Sequence, residues 1–151
     1  MNSEIVRQGT AHGLAYAIIH ITELAFYHSS LEPEWYCGYV CVPANHPWYG
    51  KDYNDKPGFT EEQKAQLSQG TIGKRGILSL VTATLDDPTI GTWIDVHGSL
   101  TFSGRLRLLP EGWWFGFDCH HLDDNPVVQN ADYAEHECIA LAQQLQEVSH
   151  G

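Results

Sequence analysis

The stretch WYCGYVCVP, residues Trp35–Pro43, is apolar at odd and even positions alike. Because a strand points alternate side chains to opposite faces, such a run predicts a central strand that is covered on both sides. The preceding run LAYAIIHITELAFY, Leu14–Tyr27, is rich in Ile, Thr and aromatic residues and also predicts a strand. The polar, proline-bearing stretch His28–Glu34 separates the two runs, and this order favours an antiparallel hairpin.

A third strand is predicted over TWIDVHGSLTFS, Thr92–Ser103, where apolar and polar residues alternate. The parity expected to face the core consists of Ile94, Val96, Leu100 and Phe102. The opposite parity consists of Trp93, Asp95, His97, Ser99, Thr101 and Ser103. A single regular strand would deliver this second set of side chains to one surface.

The run GILSLVTATL, Gly76–Leu85, fits a strand or another buried segment, and a strand is favoured. A further strand is predicted over WWFGFDC, Trp113–Cys119. In this strand, one face is expected to carry Phe115, Phe117 and Cys119. The other face is expected to carry Trp114 and Asp118.

Two helices complete the expected fold. A capping-box pattern at Thr60 and a glycine stop at Gly70 predict a short helix over Glu61–Gln69. A C-terminal helix is expected to begin at the capping pair Asp132 and Glu135. Its apolar stripe consists of Ala134, Cys138, Leu141, Leu145 and Val148, with Glu135, Glu137, Gln143 and Gln144 expected away from it. The prediction is an α+β fold: an antiparallel β-sheet packed by a C-terminal α-helix, plus one short inserted helix, in a single domain over residues 1–151.

The charge balance limits the partners. The chain has 151 residues, with 8 Lys and Arg against 19 Asp and Glu, and a net charge of −11. DNA and RNA polymers and anionic membranes are bound through many basic residues, so neither is an expected partner. A small anion needs only one local basic cluster, and the candidates are Lys74–Arg75 and the pair Arg105 and Arg107. A homo-oligomer is compatible with the sequence.

The four cysteines fit a cytoplasmic protein. Met1–Thr10 is polar and lacks the apolar core of a signal peptide, so export and disulfides are not expected. Cys37 and Cys41 lie four residues apart on one strand face, where buried free thiols are favoured over a zinc site. No apolar run has the length of a membrane span.

Three clusters contain residues suited to chemistry. HPWYGKDY, His46–Tyr53, combines aromatic rings with Lys51, and it indicates either a ring-stacking loop or an aromatic turn that covers the core. The polar parity of Thr92–Ser103 is interrupted by Gly98, where a ligand or another backbone can approach closely. DCHHLDD, Asp118–Asp124, offers imidazoles and carboxylates for a divalent ion or for acid–base work, or forms a polar turn. The sequence contains no Walker, Rossmann, nucleophile-elbow or HExxH pattern.

Three blocks carry a family resemblance: GYVCVPANHPWYGKDY at Gly38–Tyr53, DVHGSLTFS at Asp95–Ser103 and WWFGFDCHHLDD at Trp113–Asp124. They resemble the patterns GYVGVPxGHPxYGKDY, DVHGGLTYS and WWFGFDCAHAGD of a family of small uncharacterised proteins encoded by tailed phages and prophages. The resemblance extends from about Cys37 to the C-terminus, including a Glu-Cys pair at Glu137-Cys138. It implies viral or prophage origin, action in the cytoplasm of the bacterial host and a non-structural accessory role.

This sequence departs from the family pattern at several positions. Ser99 stands in place of the second glycine of the HGG turn, His120 in place of an alanine and Asp123 in place of a glycine. The Lys56–Thr92 segment is longer than the family's. The resemblance therefore supports His121 as a functional residue more than it supports His120.

The leading hypothesis from the sequence is an accessory protein that binds and sequesters a small nucleotide-like ligand, such as a host immune signal, without a cofactor. The candidate ligand-binding residues are His46, Trp48, Tyr49, Lys51, Asp95, His97, Thr101, Ser103, Arg105, Trp114, Asp118, His121 and Asp124. The alternative hypothesis is a metal-assisted hydrolase or phosphodiesterase with the ligands His97, Asp118, His121 and Asp124. A further alternative is an acidic inhibitor of a host enzyme.

Overall fold

The protein is described here by a computed structural model, which covers residues 2–23, 33–59, 61 and 89–150. Within these residues the strands are β1 (Asn2–Ala11), β2 (Leu14–Thr22), β3 (Glu34–Val42), β4 (Phe102–Gly104) and β5 (Trp113–Asp118). The helices are α1 (Ile90–Trp93) and α2 (Ala131–His150). The five strands form one sheet in the order β1-β2-β3-β5-β4, and every neighbouring pair is antiparallel.

The central position of β3 is confirmed. It pairs with β2 on one side and β5 on the other, and both of its faces are buried. Val40 and Val42 pack in the larger core, under helix α2. The other face of the sheet forms a second apolar cluster that contains Trp35, Cys37 and Tyr39. Strand β3 can be apolar throughout because its alternate side chains face opposite sides of the sheet, and each side is covered by an apolar cluster.

The C-terminal helix and the α+β class are confirmed. The predicted stripe of α2 is buried, and it consists of Ala134, Cys138, Leu141, Leu145 and Val148. The predicted capping pair is wrong. Asn130 caps the helix, since its side-chain oxygen accepts from the Tyr133 N–H at 2.9 Å. Glu135 instead accepts from the Tyr16 hydroxyl at 2.7 Å, which ties the helix to β2.

Strand β1 was not predicted, because its sequence is polar. It is an edge strand, so most of its side chains face water and carry no apolar alternation. A two-residue turn joins it to β2, and both turn residues, His12 and Gly13, have positive φ, at 51° and 80°. Such a turn matches the twist of a hairpin, and its glycine is the one signal that the sequence offered.

The predicted strand Thr92–Ser103 is wrong. It divides into helix α1, an irregular segment over residues 94–101 and the short strand β4. Ile94, Val96 and Leu100 are buried as expected, whereas Phe102 packs in the opposite cluster, beyond the sheet. The segment forms no regular strand because backbone groups in its first half hydrogen-bond to side chains of α2 and not to a neighbouring strand.

Two residues of α2 that were expected to point away from its apolar stripe are buried. Gln144 accepts from the Asp95 N–H and donates to the Asp95 carbonyl, each at 2.8 Å. Glu137 accepts from the His97 N–H at 2.8 Å. These bonds satisfy backbone groups that would otherwise be buried without partners, so the two polar side chains are stable beside the core.

Several predictions fall outside the described residues: the strand Gly76–Leu85, the basic pair Lys74–Arg75, the end of Leu14–Tyr27, and the helix Glu61–Gln69 apart from Glu61. Each of the four cysteines is a free thiol, with Cys41 half-buried and the other three buried. In the described part of the chain, no helix is both long enough and apolar enough to cross a bilayer.

Candidate functional site

His97 stands on a tight turn beside helix α2. The Ser99 N–H donates to the Val96 carbonyl at 2.9 Å, and Gly98 supplies a positive φ of 65° at the third position of the turn. Ser99 follows with a φ of 69°, which is uncommon for a residue with a side chain. The bond from the His97 N–H to Glu137 anchors the turn, so the imidazole is presented from a fixed backbone.

Both nitrogens of the His97 ring have side-chain partners. Nδ1 lies 2.7 Å from the Tyr133 hydroxyl, in the first turn of α2. Nε2 lies 2.9 Å from each carboxylate oxygen of Asp124. The side chains of His97 and Asp124 are only 16% and 8% exposed, so water screens this pair weakly.

Asp124 belongs to a loop that closes on itself after β5. Its carboxylate accepts from the His121 N–H at 2.9 Å, and the Asp124 N–H donates to the His121 carbonyl at 2.9 Å. At the end of β5, Asp118 Oδ1 lies 3.2 Å from His121 Nε2, and Asp118 Oδ2 accepts from the Thr101 hydroxyl at 3.2 Å. The loop therefore places the Asp124 carboxylate and the His121 imidazole beside the His97 ring, with the Asp118 carboxylate next to His121.

The turn at Gly98 allows the two imidazoles to meet. A Cβ atom on Gly98 would overlap the His121 ring, so only glycine permits this approach. The ring centroids of His97 and His121 lie 5.6 Å apart. A ligand or another backbone was expected to approach Gly98, but the group that does so is the side chain of His121, from the third sequence cluster.

His97, His121 and Asp124 form a set that can hold a metal ion. One ligand atom from each of them lies within 4.8 Å of the others. Metal bonds of about 2.0–2.1 Å separate neighbouring ligands of an octahedral ion by about 2.9 Å and those of a tetrahedral ion by about 3.4 Å. The 2.9 Å between His97 Nε2 and the Asp124 oxygens is that of a direct hydrogen bond, so an ion would replace this bond and draw the three ligands closer together. Two imidazoles and one carboxylate on one side leave other positions open for water or substrate.

The surroundings suit this set. The Tyr133 hydroxyl can accept a hydrogen bond from His97 Nδ1–H, which is how proteins commonly fix a ligating histidine with Nε2 toward the ion. His121 and Asp118 have side chains 39% and 31% exposed, so the site opens to solvent on their side. Burial, and next the charge of Asp124, raise the pKa of the Cys119 thiol well above its ordinary range, so this neighbour stays protonated and supplies no thiolate.

A second cluster gathers Tyr49, Lys51, Ser103 and Arg105 near the far end of β4. The Arg105 guanidinium lies 5.5 Å from the centre of the Trp113 ring and 3.5 Å from the Tyr49 hydroxyl. Trp113 Nε1 donates to the Lys51 carbonyl at 2.9 Å. Ser103 is structural, since its hydroxyl donates to Asp52 and accepts from the Tyr53 N–H.

Three predicted ligand residues lie in the core instead. Trp48 has 0% exposure, and its Nε1 donates to the Pro57 carbonyl at 2.9 Å. Trp114 is 3% exposed in the cluster on the opposite face of the sheet, with Nε1 bonded to the Pro110 carbonyl. His46 is 4% exposed and hydrogen-bonded to backbone groups. These side chains offer no surface to a ligand, so we assign them structural roles.

Sequence reasoning missed Tyr133, Glu137 and Trp113. Glu137 and Gln144 lie seven residues apart, two turns of the helix, so they share a face with Leu141, and this spacing was a usable signal. Tyr133 carried none, because its role depends on where the His97 turn docks. Asp95 contributes through its backbone, which Gln144 holds.

The chain matches no family model, no curated protein and no solved structure. The functional conclusion therefore rests on the chemistry of the site.

Proposed function

We propose that this chain is a metal-assisted hydrolase that acts on a small nucleotide-like phosphoester. The observation that carries the proposal is the convergence of two imidazoles and one carboxylate from separate segments, with ligand atoms within 4.8 Å of one another. A bound divalent ion makes hydroxide available near neutral pH and polarises a phosphoryl oxygen. Both effects favour the hydrolysis of a phosphate ester.

The residues of the chain would divide the work. His97, His121 and Asp124 hold the ion, and Tyr133 keeps the His97 ring in its ligating orientation. Asp118 stands at the solvent side of the site, 3.2 Å from His121, and is the group placed to accept a proton from the attacking water. The oxygen of that water bonds to phosphorus, the ester P–O bond breaks, and the leaving alcohol takes up a proton.

Charge and resemblance support the class of substrate. A chain with a net charge of −11 is a poor match for a polymer of phosphates, whereas a small molecule can be met by a local basic group. The resemblance to small phage proteins suggests a substrate made by a bacterial host, such as an immune signal nucleotide. We propose that the protein removes such a molecule in the host cytoplasm.

Metal binding and turnover test the proposal together. Purified protein is freed of metal, titrated with Mn²⁺ or Zn²⁺ by calorimetry, and assayed against bis(p-nitrophenyl) phosphate. We expect about one ion per chain and metal-dependent release of nitrophenol. Asp124→Asn should abolish both, whereas Asp123→Asn, which alters the neighbouring exposed acid, should retain both. A wild-type chain that takes up neither ion would overturn the proposal.

Sequestration without turnover is the second candidate function. The stacked Arg105 and Trp113 favour it, because a basic and aromatic surface can hold a nucleotide with no metal. Calorimetry against cyclic dinucleotides and ADP-ribose derivatives measures binding. Denaturing the mixture and analysing the released ligand then separates the candidates: an intact ligand indicates sequestration, and a cleaved one indicates a hydrolase.

A further inference from the structure

Most of the basic residues that the structure describes lie in two segments. The described residues contain five Lys and Arg side chains, and four of them lie in the segments 51–56 and 105–107. The two segments share neighbours: Arg105 bonds to Tyr49, just before the first segment, and lies over Trp113, whose Nε1 donates to the Lys51 carbonyl. In a chain with a net charge of −11, these segments hold most of the cationic side chains that the structure describes.

Arg105 contacts two aromatic side chains and pairs with no carboxylate of the described residues. Its guanidinium stacks on Trp113, and the Tyr49 ring packs against the same indole at 6.2 Å between centroids. Among the described residues its hydrogen-bond partner is a neutral tyrosine hydroxyl, and no carboxylate pairs with it. The nearby carboxylate of Asp52 accepts from the Ser103 hydroxyl and from the Asn54 N–H. The guanidinium fork therefore keeps donors for an external oxyanion.

Strand β4 connects this surface to the proposed metal site. Thr101, just before the strand, donates to Asp118 beside His121, and Arg105 follows just after the strand. Four residues of extended chain cover about 13 Å. A molecule that reaches from His121 to Arg105 is larger than one phosphate and has the dimensions of a nucleotide carrying more than one phosphate group.

We infer that Arg105, with Trp113 and Tyr49, forms a phosphate-binding subsite for a second phosphate group of the substrate. The inference rests on the proposed function, and it narrows the substrate to molecules with at least two separated phosphate groups. Arg105 contacts the distal phosphate as a specificity determinant, while the metal ligands act on the ester. A planar fork binds a phosphate through two parallel hydrogen bonds, which a lysine cannot reproduce.

The direct test uses metal-free protein in the presence of EDTA and inorganic pyrophosphate as the probe, followed by calorimetry and tryptophan fluorescence. Arg105→Gln should weaken pyrophosphate binding about 10-fold or more, and Arg105→Lys should restore little of it. Arg107→Gln is the matched control, since it removes the same charge from an exposed neighbour two residues away, and it should change binding less than about twofold. Equal losses in the two glutamine variants, or no binding by the wild type, would overturn the inference.

Turnover then tests the link to the metal site. Against a linear dinucleotide with an added terminal phosphate, Arg105→Gln should raise KM about 10-fold and leave kcat unchanged, whereas the control Arg107→Gln should match the wild type. Pyrophosphate binding without any turnover would reject the hydrolase and keep the subsite. Turnover in which Arg105→Gln and Arg107→Gln behave alike would reject the subsite and keep the hydrolase.

Discussion

His46 and His97 stand in two regions that look alike in the sequence, since each histidine has aromatic and acidic residues nearby. In both, the two ring nitrogens have hydrogen-bond partners. His46 Nε2 donates to the Leu145 carbonyl at 2.8 Å, and its Nδ1 accepts from the Trp48 N–H at 2.9 Å. The partners of His97 are instead the side chains of Asp124 and Tyr133.

The difference lies in what the partners can exchange. Backbone groups do not ionise, and they cannot rotate out of a hydrogen bond as a side chain can. His46 therefore has a structural role and links its loop to helix α2. A carboxylate and a second imidazole beside His97 can give up hydrogen bonds in return for bonds to a metal ion. His46 is therefore part of the core, whereas the partners of His97 leave it able to bind an ion.

The largest effect is expected in the structural region, at Trp48. Its ring is fully buried beside Phe115 and Phe59. Trp48→Ala should lower the free energy of unfolding by about 3–5 kcal/mol, because it removes a large apolar side chain and leaves a cavity. Urea denaturation measures this value, with the half-buried Tyr49→Ala as the control that should lose less. A loss below about 1 kcal/mol would contradict the structural role of this region.

Replacing each histidine separately with glutamine tests whether the two regions have different roles. His97→Gln should weaken metal binding at least about 100-fold, since it removes a ligand. Without metal it should lower the free energy of unfolding less than His46→Gln does, because the glutamine amide can still donate to the Asp124 carboxylate. His46→Gln should lower the free energy of unfolding by about 1–3 kcal/mol, because buried backbone groups lose partners, and should leave metal affinity unchanged. Calorimetry with Mn²⁺ and urea denaturation measure the two quantities.

The prediction is that each variant changes one quantity: His97→Gln mainly lowers metal affinity, and His46→Gln lowers stability. His136→Ala, on the exposed surface of α2, is the control for replacing a histidine, and it should change neither quantity. If His97→Gln destabilised the metal-free fold as much as His46→Gln, the site would be a structural network and the comparison would fail.

A smaller effect is expected at Tyr133. Tyr133→Phe removes the hydroxyl that lies 2.7 Å from His97 Nδ1 and keeps the ring. Metal affinity should fall about 10-fold, the lower end of the range for partners that orient a ligand. Calorimetry of the variant beside the wild type measures it. An unchanged affinity would show that Tyr133 does not orient His97.

Relief of strain at Ser99 should give a change of about 1 kcal/mol in the opposite direction. Ser99 has a φ of 69°, which glycine adopts without a steric penalty. Ser99→Gly should therefore raise the melting temperature while metal affinity stays the same. Thermal denaturation detects the change, and a lower melting temperature would mean that the serine side chain stabilises the turn more than its backbone strains it.

The mildest test uses pH. Burial lowers the pKa of His46 from its ordinary value of 6.5, and the hydrogen bond to the Leu145 carbonyl offsets part of this effect. Because the unfolded chain takes up the proton first, the contribution of His46 to stability is complete above pH 6.5 and is lost as the pH falls toward the folded-state pKa. The difference in unfolding free energy between the wild type and His46→Gln should shrink from about pH 7.5 to about pH 5. A constant difference would contradict a neutral, buried His46.

The elements that could be predicted are those in which apolar residues recur at a regular spacing along the chain. The apolar run of β3, the alternation of β5 and the stripe of α2 each record which side of an element meets a core. The polar edge strand β1 records no such pattern, and it was missed for that reason. In the segment 94–101, apolar and polar residues alternate although the backbone is not a strand. An irregular chain can also bury every second side chain when it lies along a helix whose side chains bind its backbone.

The sequence by itself determined the antiparallel α+β architecture, the covered central strand and the residue types from which a metal site can be built. Only the tertiary structure decided which histidines belong to it. His97 meets Asp124 across 27 residues and Tyr133 across 36, whereas His46 is drawn into the core by a carbonyl 99 residues away. Periodicity is a property of neighbours along the chain, but coordination depends on side chains that only packing brings together.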